Sequence, residues 1–250
     1  MVLNPFLSII IPAHNEESRL KRTLQQVGEF AQSQTYSVEI LVVENGSQDR
    51  TLEIAQTFAI ERPQFHAFHI DERGKGLAVK RGMLEARGEY RFMCDADLSM
   101  PVTEIKRFIP PALTEFDVAI ASREAQGAVR YNEPFYRYIG GRWINAMIRL
   151  LALPGLHDTQ CGFKCFRADV VDDLFGHQTM VGWSFDVEVL YIARMRGYRI
   201  IEIPIPWYFN PETKLNAVQD AVDIGRDVLI IRRNAARGIY DRSLPGERDS

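Results

Sequence analysis

Short apolar runs alternate with amphipathic stretches through the first half of the chain. Five runs predict buried strands, because each is short, predominantly apolar and ends at polar or turn-forming residues: 7–11, 38–43, 66–70, 90–94 and 117–121. The stretches between them carry apolar residues at helical spacing: 16–31, 49–59, 76–86 and 101–113. This β-α-β-α order predicts an α/β fold, a Rossmann-like, mostly parallel sheet flanked by helices.

The second half has a less regular pattern. We predict helices at 142–153, 183–196 and 217–233, a strand at 200–205, a short strand or loop at 158–166, and loops at 125–138 and 210–216. The apolar face predicted for the last helix includes Val222, Val228 and Leu229. We expect a single domain with two halves, 6–124 and 125–240, followed by a disordered, charged tail at 241–250.

Composition narrows the class of protein. The chain has 250 residues, 46% of them hydrophobic, and a net charge of -3, so a nucleic-acid partner is not expected. Three irregularly spaced cysteines indicate reduced thiols in a cytoplasmic protein. No apolar run approaches the roughly 20 residues that span a bilayer. Any membrane contact is therefore expected to be peripheral, at the cytoplasmic face.

Two carboxylates follow the fourth predicted strand. Asp95 and Asp97 alternate along the chain, so both side chains point the same way beyond the strand end. Converging carboxylates favour a divalent cation with oxygen ligands, such as Mg²⁺ or Mn²⁺. The alternative is that one of them caps the helix that follows.

Other polar residues lie at the ends of the first three predicted strands. Glu16 and Glu44 follow strands one and two, where carboxylates suit ribose hydroxyls and a base edge. Asn15 could instead cap the following helix, and Ser47 or Asp49 the next. Lys75, between two glycines at a helix N-terminus, suits an anion such as a pyrophosphate, or is a solvated lysine in a flexible cap.

Together these motifs resemble the family-2 glycosyltransferases of GT-A fold. The resemblance covers residues 6–235 and rests on the segments IPAHNE at 11–16, VVENGSQDRT at 42–51, GKG at 74–76 and DADLS at 95–99. The segments HDTQCGFK at 157–164 and WSFDVEVL at 183–190 are similar to the dolichyl-phosphate glucosyltransferase branch. The segment ETKL at 212–215 resembles an element of the dolichyl-phosphate mannose synthases.

The resemblance implies inverting transfer of a hexose from a nucleotide diphosphosugar to a polyprenyl (dolichyl-type) phosphate at a membrane surface. UDP-glucose is the first donor implied and GDP-mannose the second. Carried over residue by residue, the binding roles fall on ten positions: Pro12, His14 and Glu16 beside the base, Glu44 on base or ribose, Lys75 near the phosphates, Asp95 and Asp97 on sugar and metal, Arg123 and Asp158 at the acceptor, and Lys214 over the diphosphate.

This sequence departs from the family pattern at two positions. Glu44 stands where the family usually has aspartate, which leaves the nucleotide open, and Ser99 stands where the mannose synthases have a metal-binding glutamine. Two alternative functions also remain: transfer to a soluble hydroxyl acceptor with Asp158 or Asp186 as base, and a non-catalytic nucleotide-sugar binding protein. We expect one of Asp186 and Glu188 to face the site and the other to be solvated, and Trp183 and Phe185 to lie in the core.

The predicted helix at 142–153 has two interpretations. Its polar residues, Arg142, Asn145 and Arg149, form one narrow stripe on an otherwise apolar helix. The helix is either buried in the core or lies in the plane of a membrane.

Overall fold

The computed structural model describes residues 4–210 and 217–241, with side chains described for 4–210 and 222–241. The described residues form nine strands: β1 Leu7–Ala13, β2 Val38–Asn45, β3 Phe65–Ile70, β4 Tyr90–Cys94, β5 Val118–Ser122, β6 Val129–Tyr131, β7 Phe163–Arg167, β8 Ile200–Pro204 and β9 Pro206–Tyr208. They also form seven α-helices: α1 Leu20–Gln32, α2 Thr51–Glu61, α3 Lys75–Glu85, α4 Phe135–Leu151, α5 Ala168–Gly176, α6 Phe185–Met195 and α7 Ala217–Ala236.

Seven strands form the central sheet in the order β3-β2-β1-β4-β7-β5-β8. All neighbouring pairs are parallel except those of β7, which runs antiparallel to both β4 and β5. Every residue of β1 is buried, because helices cover both faces of the sheet. The predicted mostly parallel α/β sheet is confirmed, and it is one sheet built from both halves of the chain.

The N-terminal end of α1 differs from the prediction. The helix begins at Leu20, and no side chain caps it. Asn15 lies in a left-handed turn with φ of 52°, and its Oδ1 accepts a hydrogen bond of 2.8 Å from the Gln48 backbone amide. The expected cap was therefore wrong, because Asn15 joins the loops after β1 and β2 instead.

Several elements were missed or misjudged. The stretch predicted as a helix at 101–113 contains a 3-10 helix at Val102–Phe108. The predicted loop at 125–138 contains β6 and the first turn of α4, and the short strand β9 and the helix α5 were not predicted. β6 and β9 pair with each other in a separate two-stranded sheet, so their pairing is a long-range contact that local pattern does not reveal.

Helices α4 and α7 pack together, and each is buried on one side only. On α4, Ile148 is fully buried while Trp143 is 75% exposed and Leu150 is 83% exposed. The helix is therefore a core element on one side and an exposed apolar surface on the other, and its position in the plane of a membrane stays a prediction.

The buried face of α7 was predicted correctly at Val228 but wrongly at Val222 and Leu229. Its core residues are Ile224, Val228 and Ile231, whereas Val222 and Leu229 are exposed. Among the described residues, no helix combines the length and apolar character needed to cross a membrane. Lys214 and the predicted tail beyond residue 241 lie outside the described residues.

Candidate functional site

The strand order changes direction at β1, which pairs with β2 on one side and with β4 on the other. Ligands of open α/β sheets bind at the carboxyl ends of strands at such a point. Pro12 lies in the last part of β1, Glu44 in the last part of β2, and Asp95 directly follows β4. The fold therefore brings these predicted site residues to one edge of the sheet.

Hydrogen bonds join the loops after β1 and β2. The His14 ring Nδ1 lies 2.7 Å from the Asn45 carbonyl oxygen. The Glu16 backbone amide donates to the Thr51 hydroxyl at 2.8 Å, and the Glu16 carboxylate pairs with Arg19. These contacts hold His14 and Glu16 at the rim of the site, on the side of Glu44.

Glu44 is held by partners at both carboxylate oxygens. Its side chain is 1% exposed, and Oε1 accepts a hydrogen bond from the Ser47 backbone amide. Its Oε2 lies 2.5 Å from Nδ1 of His69, the residue that faces Glu44 across the paired strands β2 and β3. Nε2 of His69 lies 3.0 Å from Asp71. The hydrogen bond to Glu44, then that to Asp71, raises the pKa of His69 above its ordinary value of 6.5.

The carboxylate of Asp95 is ion-paired. Its Oδ1 lies 2.7 Å from Nζ of Lys75, at the first residue of α3. That ammonium group also lies 4.9 Å from the ring centroid of Trp183, a cation–π distance. Burial lowers the pKa of Lys75, but the charges of Asp95 and Asp186 outweigh burial and raise it overall. Lys75 is therefore a fully charged group inside the site.

Asp97 lies close to Asp95 and shares its surroundings. Its Oδ1 accepts a hydrogen bond of 3.0 Å from the Ser99 backbone amide. Burial, and next the negative charge of Asp95, raise the pKa of the Asp97 carboxyl. Two close carboxylates with excess negative charge suit a divalent cation. The described residues contain no group of three or more side chains able to hold a metal, so these two fit an ion that takes its remaining ligands from phosphate oxygens and water.

Gly162 makes room for the Asp95 carboxylate. A Cβ on this glycine would overlap the carboxylate, and its carbonyl oxygen accepts a hydrogen bond of 3.1 Å from the Asp95 amide. Only glycine lets the segment before β7 lie against this side chain.

A second ion pair, whose two side chains are buried, lies near the first. Nζ of Lys164, on β7, lies 2.6 Å from Oδ1 of Asp186, near the start of α6, and both side chains are buried. Burial raises the pKa of Asp186 despite the charge of Lys164. Glu188 is also buried and accepts a hydrogen bond from the Tyr240 hydroxyl at 2.8 Å. The expectation that one of the two acids is solvated was wrong, because each has buried partners.

Arg123 and Asp158 form a two-point ion pair. The guanidinium donates from Nε at 2.6 Å and from Nη2 at 2.9 Å to the two carboxylate oxygens of Asp158. Burial would raise the pKa of Asp158, but Arg123 outweighs it and lowers the pKa to about 2. The guanidinium carbon also lies 5.5 Å from the ring centroid of Trp207. Two of the N–H donors of the Arg123 guanidinium are therefore occupied by Asp158.

Close packing requires glycine at Gly74 and Gly76, on either side of Lys75. A Cβ on Gly74 would come within 2.6 Å of the Val181 carbonyl oxygen, and one on Gly76 within 2.6 Å of that of Met180. The Gly76 amide donates to the Val181 carbonyl at 2.9 Å. The loop before α6 therefore occupies part of the helix N-terminus that the sequence indicated for an anion.

Sequence reasoning missed three residues of the site. His69 carried a usable signal, because it stands opposite Glu44 near the end of a predicted strand. Lys164 was noted only as the last residue of the family-like segment 157–164, and its partner Asp186 lies far along the chain. Trp183 was expected in the core, but it is more than half exposed while Phe185 is buried as expected.

The contacts of His69 with Glu44 and Asp71 predict how the contribution of His69 to folding stability depends on pH. Because the folded pKa is raised, the stabilising contact is complete below pH 6.5 and is lost as the pH rises through the raised value. We expect an NMR titration of the ring to give a pKa above 6.5 in the wild type and a lower one in Glu44→Gln. The stability difference between wild type and His69→Gln should shrink at high pH. A His69 that titrates at or below its ordinary value would contradict this assignment.

Comparison with known proteins agrees with this geometry. The model of glycosyl transferase family 2 matches residues 8–175. The dolichyl-phosphate beta-glucosyltransferase of Dictyostelium discoideum is 30% identical over 95% of this chain and 77% of its own length. The human protein of the same name is 27% identical over 94% of this chain and 77% of its own length. Glycosyltransferase AglD of Haloferax volcanii is 30% identical over 89% of this chain and 36% of its own length.

Solved structures agree on the fold. Glucosyl-3-phosphoglycerate synthase from Mycobacterium tuberculosis, in complex with uridine diphosphate, superposes with a TM-score of 0.65 at 16% identity, over 97% of this chain and 82% of that one. With the family match over most of the chain, the conclusion is that this protein belongs to glycosyl transferase family 2 and has the GT-A fold.

Proposed function

We propose that this enzyme transfers glucose from UDP-glucose to the phosphate of a dolichyl-type polyprenyl phosphate, with inversion at the anomeric carbon, at a membrane surface. Mg²⁺ or Mn²⁺ is the proposed cofactor. The donor binds to the half of the domain at 6–124 and the acceptor to the half at 125–240.

The ion pairing of the two candidate bases carries the acceptor assignment. A soluble hydroxyl acceptor needs a carboxylate base with a free oxygen and a pKa near the working pH. Asp158 is buried, bound at both oxygens by Arg123 and acidic, with a pKa of about 2. Burial raises the pKa of Asp186, but its side chain is only 4% exposed and its Oδ1 lies 2.6 Å from Lys164, so a soluble acceptor cannot reach it. A phosphate acceptor needs neither, because it is already an anion at neutral pH.

The names of the relatives support glucose as the sugar. Proteins named dolichyl-phosphate beta-glucosyltransferase match this chain over nearly its whole length in Dictyostelium discoideum, Saccharomyces cerevisiae and human. The glucosyl-3-phosphoglycerate synthase, which shares the fold, has been solved with Mn²⁺ and UDP-glucose. UDP-glucose is therefore preferred over GDP-mannose as the donor.

On the donor side, the base and ribose are proposed to lie against Pro12, His14, Glu16 and Glu44. Glu44 offers its carboxylate in a fixed orientation, because His69 and the Ser47 amide hold both oxygens. Lys75 is proposed to shift from Asp95 toward the diphosphate once a divalent cation neutralises the carboxylates.

Asp95 and Asp97 are proposed to hold the metal ion, which stabilises negative charge on the departing diphosphate. The fit rests on the closeness of the two carboxylates: burial of Asp97, and next the negative charge of Asp95, raise the pKa of the Asp97 carboxyl. Lys214, which lies outside the described residues, is proposed to add a second positive charge over the diphosphate.

The reaction then needs positioning rather than a proton acceptor. An acceptor phosphate oxygen forms a bond to the anomeric carbon from the face opposite the leaving group. The bond between that carbon and the β-phosphate oxygen breaks, and UDP leaves with the electron pair. Arg123, held in place by Asp158, and the nearby Arg137, whose guanidinium lies 5.4 Å from the Phe209 ring centroid, are proposed to orient the acceptor.

The lipid is proposed to reach the site across α4. Phe135 and Trp143 are each 75% exposed on this helix, and Tyr131 stacks on Tyr208 with ring centroids 4.6 Å apart beside it. Exposed aromatic side chains are typical of a helix that lies at a membrane interface. Ile144 and Leu151 pack against the core, so they do not serve as membrane-facing positions.

A donor and acceptor panel tests the proposal. We expect product only when UDP-glucose is combined with a polyprenyl phosphate, since the corresponding polyprenol is not ionised and the site has no free base. GDP-mannose should react at least about tenfold more slowly. Mass spectrometry of the lipid extract identifies the product. Faster transfer to a soluble hydroxyl compound, or donor binding by calorimetry without turnover on any acceptor, would refute the proposal.

Metal dependence is a separate prediction. Asp97→Asn should lower the transfer rate by about 100-fold or more, the scale of removing one electrostatic group from an active site, with little change in thermal stability. Asp169→Asn, at an exposed carboxylate on α5, is the matched control and should retain activity. Full activity in excess EDTA would overturn the assignment of Asp95 and Asp97.

A further inference from the structure

A cavity of about 360 Å³ lies between α4 and the loop that follows β5, outside the carboxylate site. Arg142, Asn145 and Arg149 line it from the helix, and Glu124 and His157 line the opposite side. The three helix residues form the narrow polar stripe on the otherwise apolar sequence. The stripe therefore lines an open pocket for which the proposed reaction has no use.

The charges in this cavity are only partly balanced. Among the described residues, no carboxylate lies within ion-pair distance of Arg149. The Arg142 guanidinium donates to the Tyr138 hydroxyl at 2.7 Å and is 3.8 Å from Glu124, whose other oxygen is held by Arg130 at 2.6 Å. The cavity therefore offers one unpaired guanidinium and a second that is weakly paired.

Asn145 adds a buried polar atom. The residue is 6% exposed, and among the residues that the structure describes no group donates a hydrogen bond to its Oδ1. An unpaired amide oxygen in a buried position is costly, and it is satisfied by a donor such as a hydroxyl group. His157 lies opposite, with its Nδ1 2.7 Å from Glu202.

This combination defines a class of ligand. Guanidinium groups bind phosphate oxygens through charge-assisted hydrogen bonds. The amide oxygen is an acceptor that a hydroxyl group on the same molecule can satisfy. The cavity volume of about 360 Å³ is many times the roughly 30 Å³ that one water molecule occupies, so it has room for more than a bare phosphate ion. A phosphate ester that carries free hydroxyl groups meets all three conditions.

The apolar side of α4 indicates where that ligand comes from. Trp143 and Leu150 are seven residues apart on one face, and each directly follows a residue of the polar stripe. A helix that inserts this face into a membrane brings its arginines to the level of lipid phosphates. We propose that the cavity binds the phosphate and glycerol hydroxyls of an anionic glycerophospholipid headgroup, a site separate from the acceptor site; this inference rests on the proposed reaction at a membrane surface.

Vesicle flotation tests the site. Wild-type protein should bind phosphatidylcholine vesicles that contain phosphatidylglycerol and should bind pure phosphatidylcholine weakly. Arg149→Gln should weaken binding by more than about tenfold, because it removes a specific phosphate contact. Arg233→Gln, at an exposed position on α7, removes the same charge and should cost about fivefold at most, the effect of one surface arginine.

Asn145→Leu is the second variant, because it changes no charge. It should still weaken binding several-fold, whereas diffuse attraction to an anionic surface would not respond to it. Equal losses in Arg149→Gln and Arg233→Gln, together with unchanged binding in Asn145→Leu, would overturn the site. Thermal unfolding confirms that each variant is folded.

Two further measurements separate this site from its alternatives. Calorimetry with glycerol 3-phosphate should show weak binding. Binding as tight as that of the vesicles would overturn the lipid as the source of the phosphate ester. Transfer of glucose to a short-chain, water-soluble polyprenyl phosphate should be the same in wild type and Arg149→Gln. If neither catalyses that transfer while flotation still depends on Arg149, the proposed reaction fails and the headgroup site stands.

Discussion

The rest of the site depends on one cluster of opposite charges at the carboxyl end of β4. Asp95 pairs with Lys75, where both side chains are partly exposed, and Asp186 pairs with Lys164, where both are buried. Removing one partner of a buried pair such as Lys164–Asp186 costs about 3–5 kcal/mol, because the other charge is left buried without a partner. The four residues come from segments far apart in the chain, so the charge pairing requires β7 and α6 to lie beside the end of β4.

This constraint explains features that have no other evident cause. β7 runs antiparallel in an otherwise parallel sheet, which carries Lys164 in between β4 and β5. Gly162 is a glycine because the Asp95 carboxylate fills the space of its side chain. Lys75 already supplies one positive charge to Asp95, while Asp97 remains destabilised by burial and by its neighbour. In the protein without ligand, Lys75 therefore neutralises the charge of Asp95. We propose that a divalent cation takes the place of Lys75 when it binds to the two carboxylates.

The first half of the chain could be predicted well because local pattern and fold agree there. Each strand from β1 to β4 coincides with a short, predominantly apolar run, and polar site residues such as Glu44 and Asp95 lie at the strand ends. The second half of the chain could not be predicted as well, because its residues pair with residues that are distant in the sequence. Nothing local shows that Arg123 is committed to Asp158, or that Glu188 is buried beneath Tyr240. Asn15 is a further example: its sequence context predicts a helix cap, but its side chain accepts a hydrogen bond from the amide of Gln48, more than thirty residues away.

The exchange of Lys75 for a metal ion is the central claim of this account, and Mn²⁺ affinity measured by electron paramagnetic resonance tests it most directly. Lys75→Met keeps the length of the side chain and removes its charge, and Lys80→Met, at a half-buried lysine on the same helix that donates to the Gln178 carbonyl at 2.9 Å, is the control. Without nucleotide, Lys75→Met should bind Mn²⁺ about tenfold more tightly than the wild type, which corresponds to about 1.4 kcal/mol. It should also bind UDP more weakly, whereas Lys80→Met should change neither. An Mn²⁺ affinity that is unchanged or weaker in Lys75→Met would contradict the account.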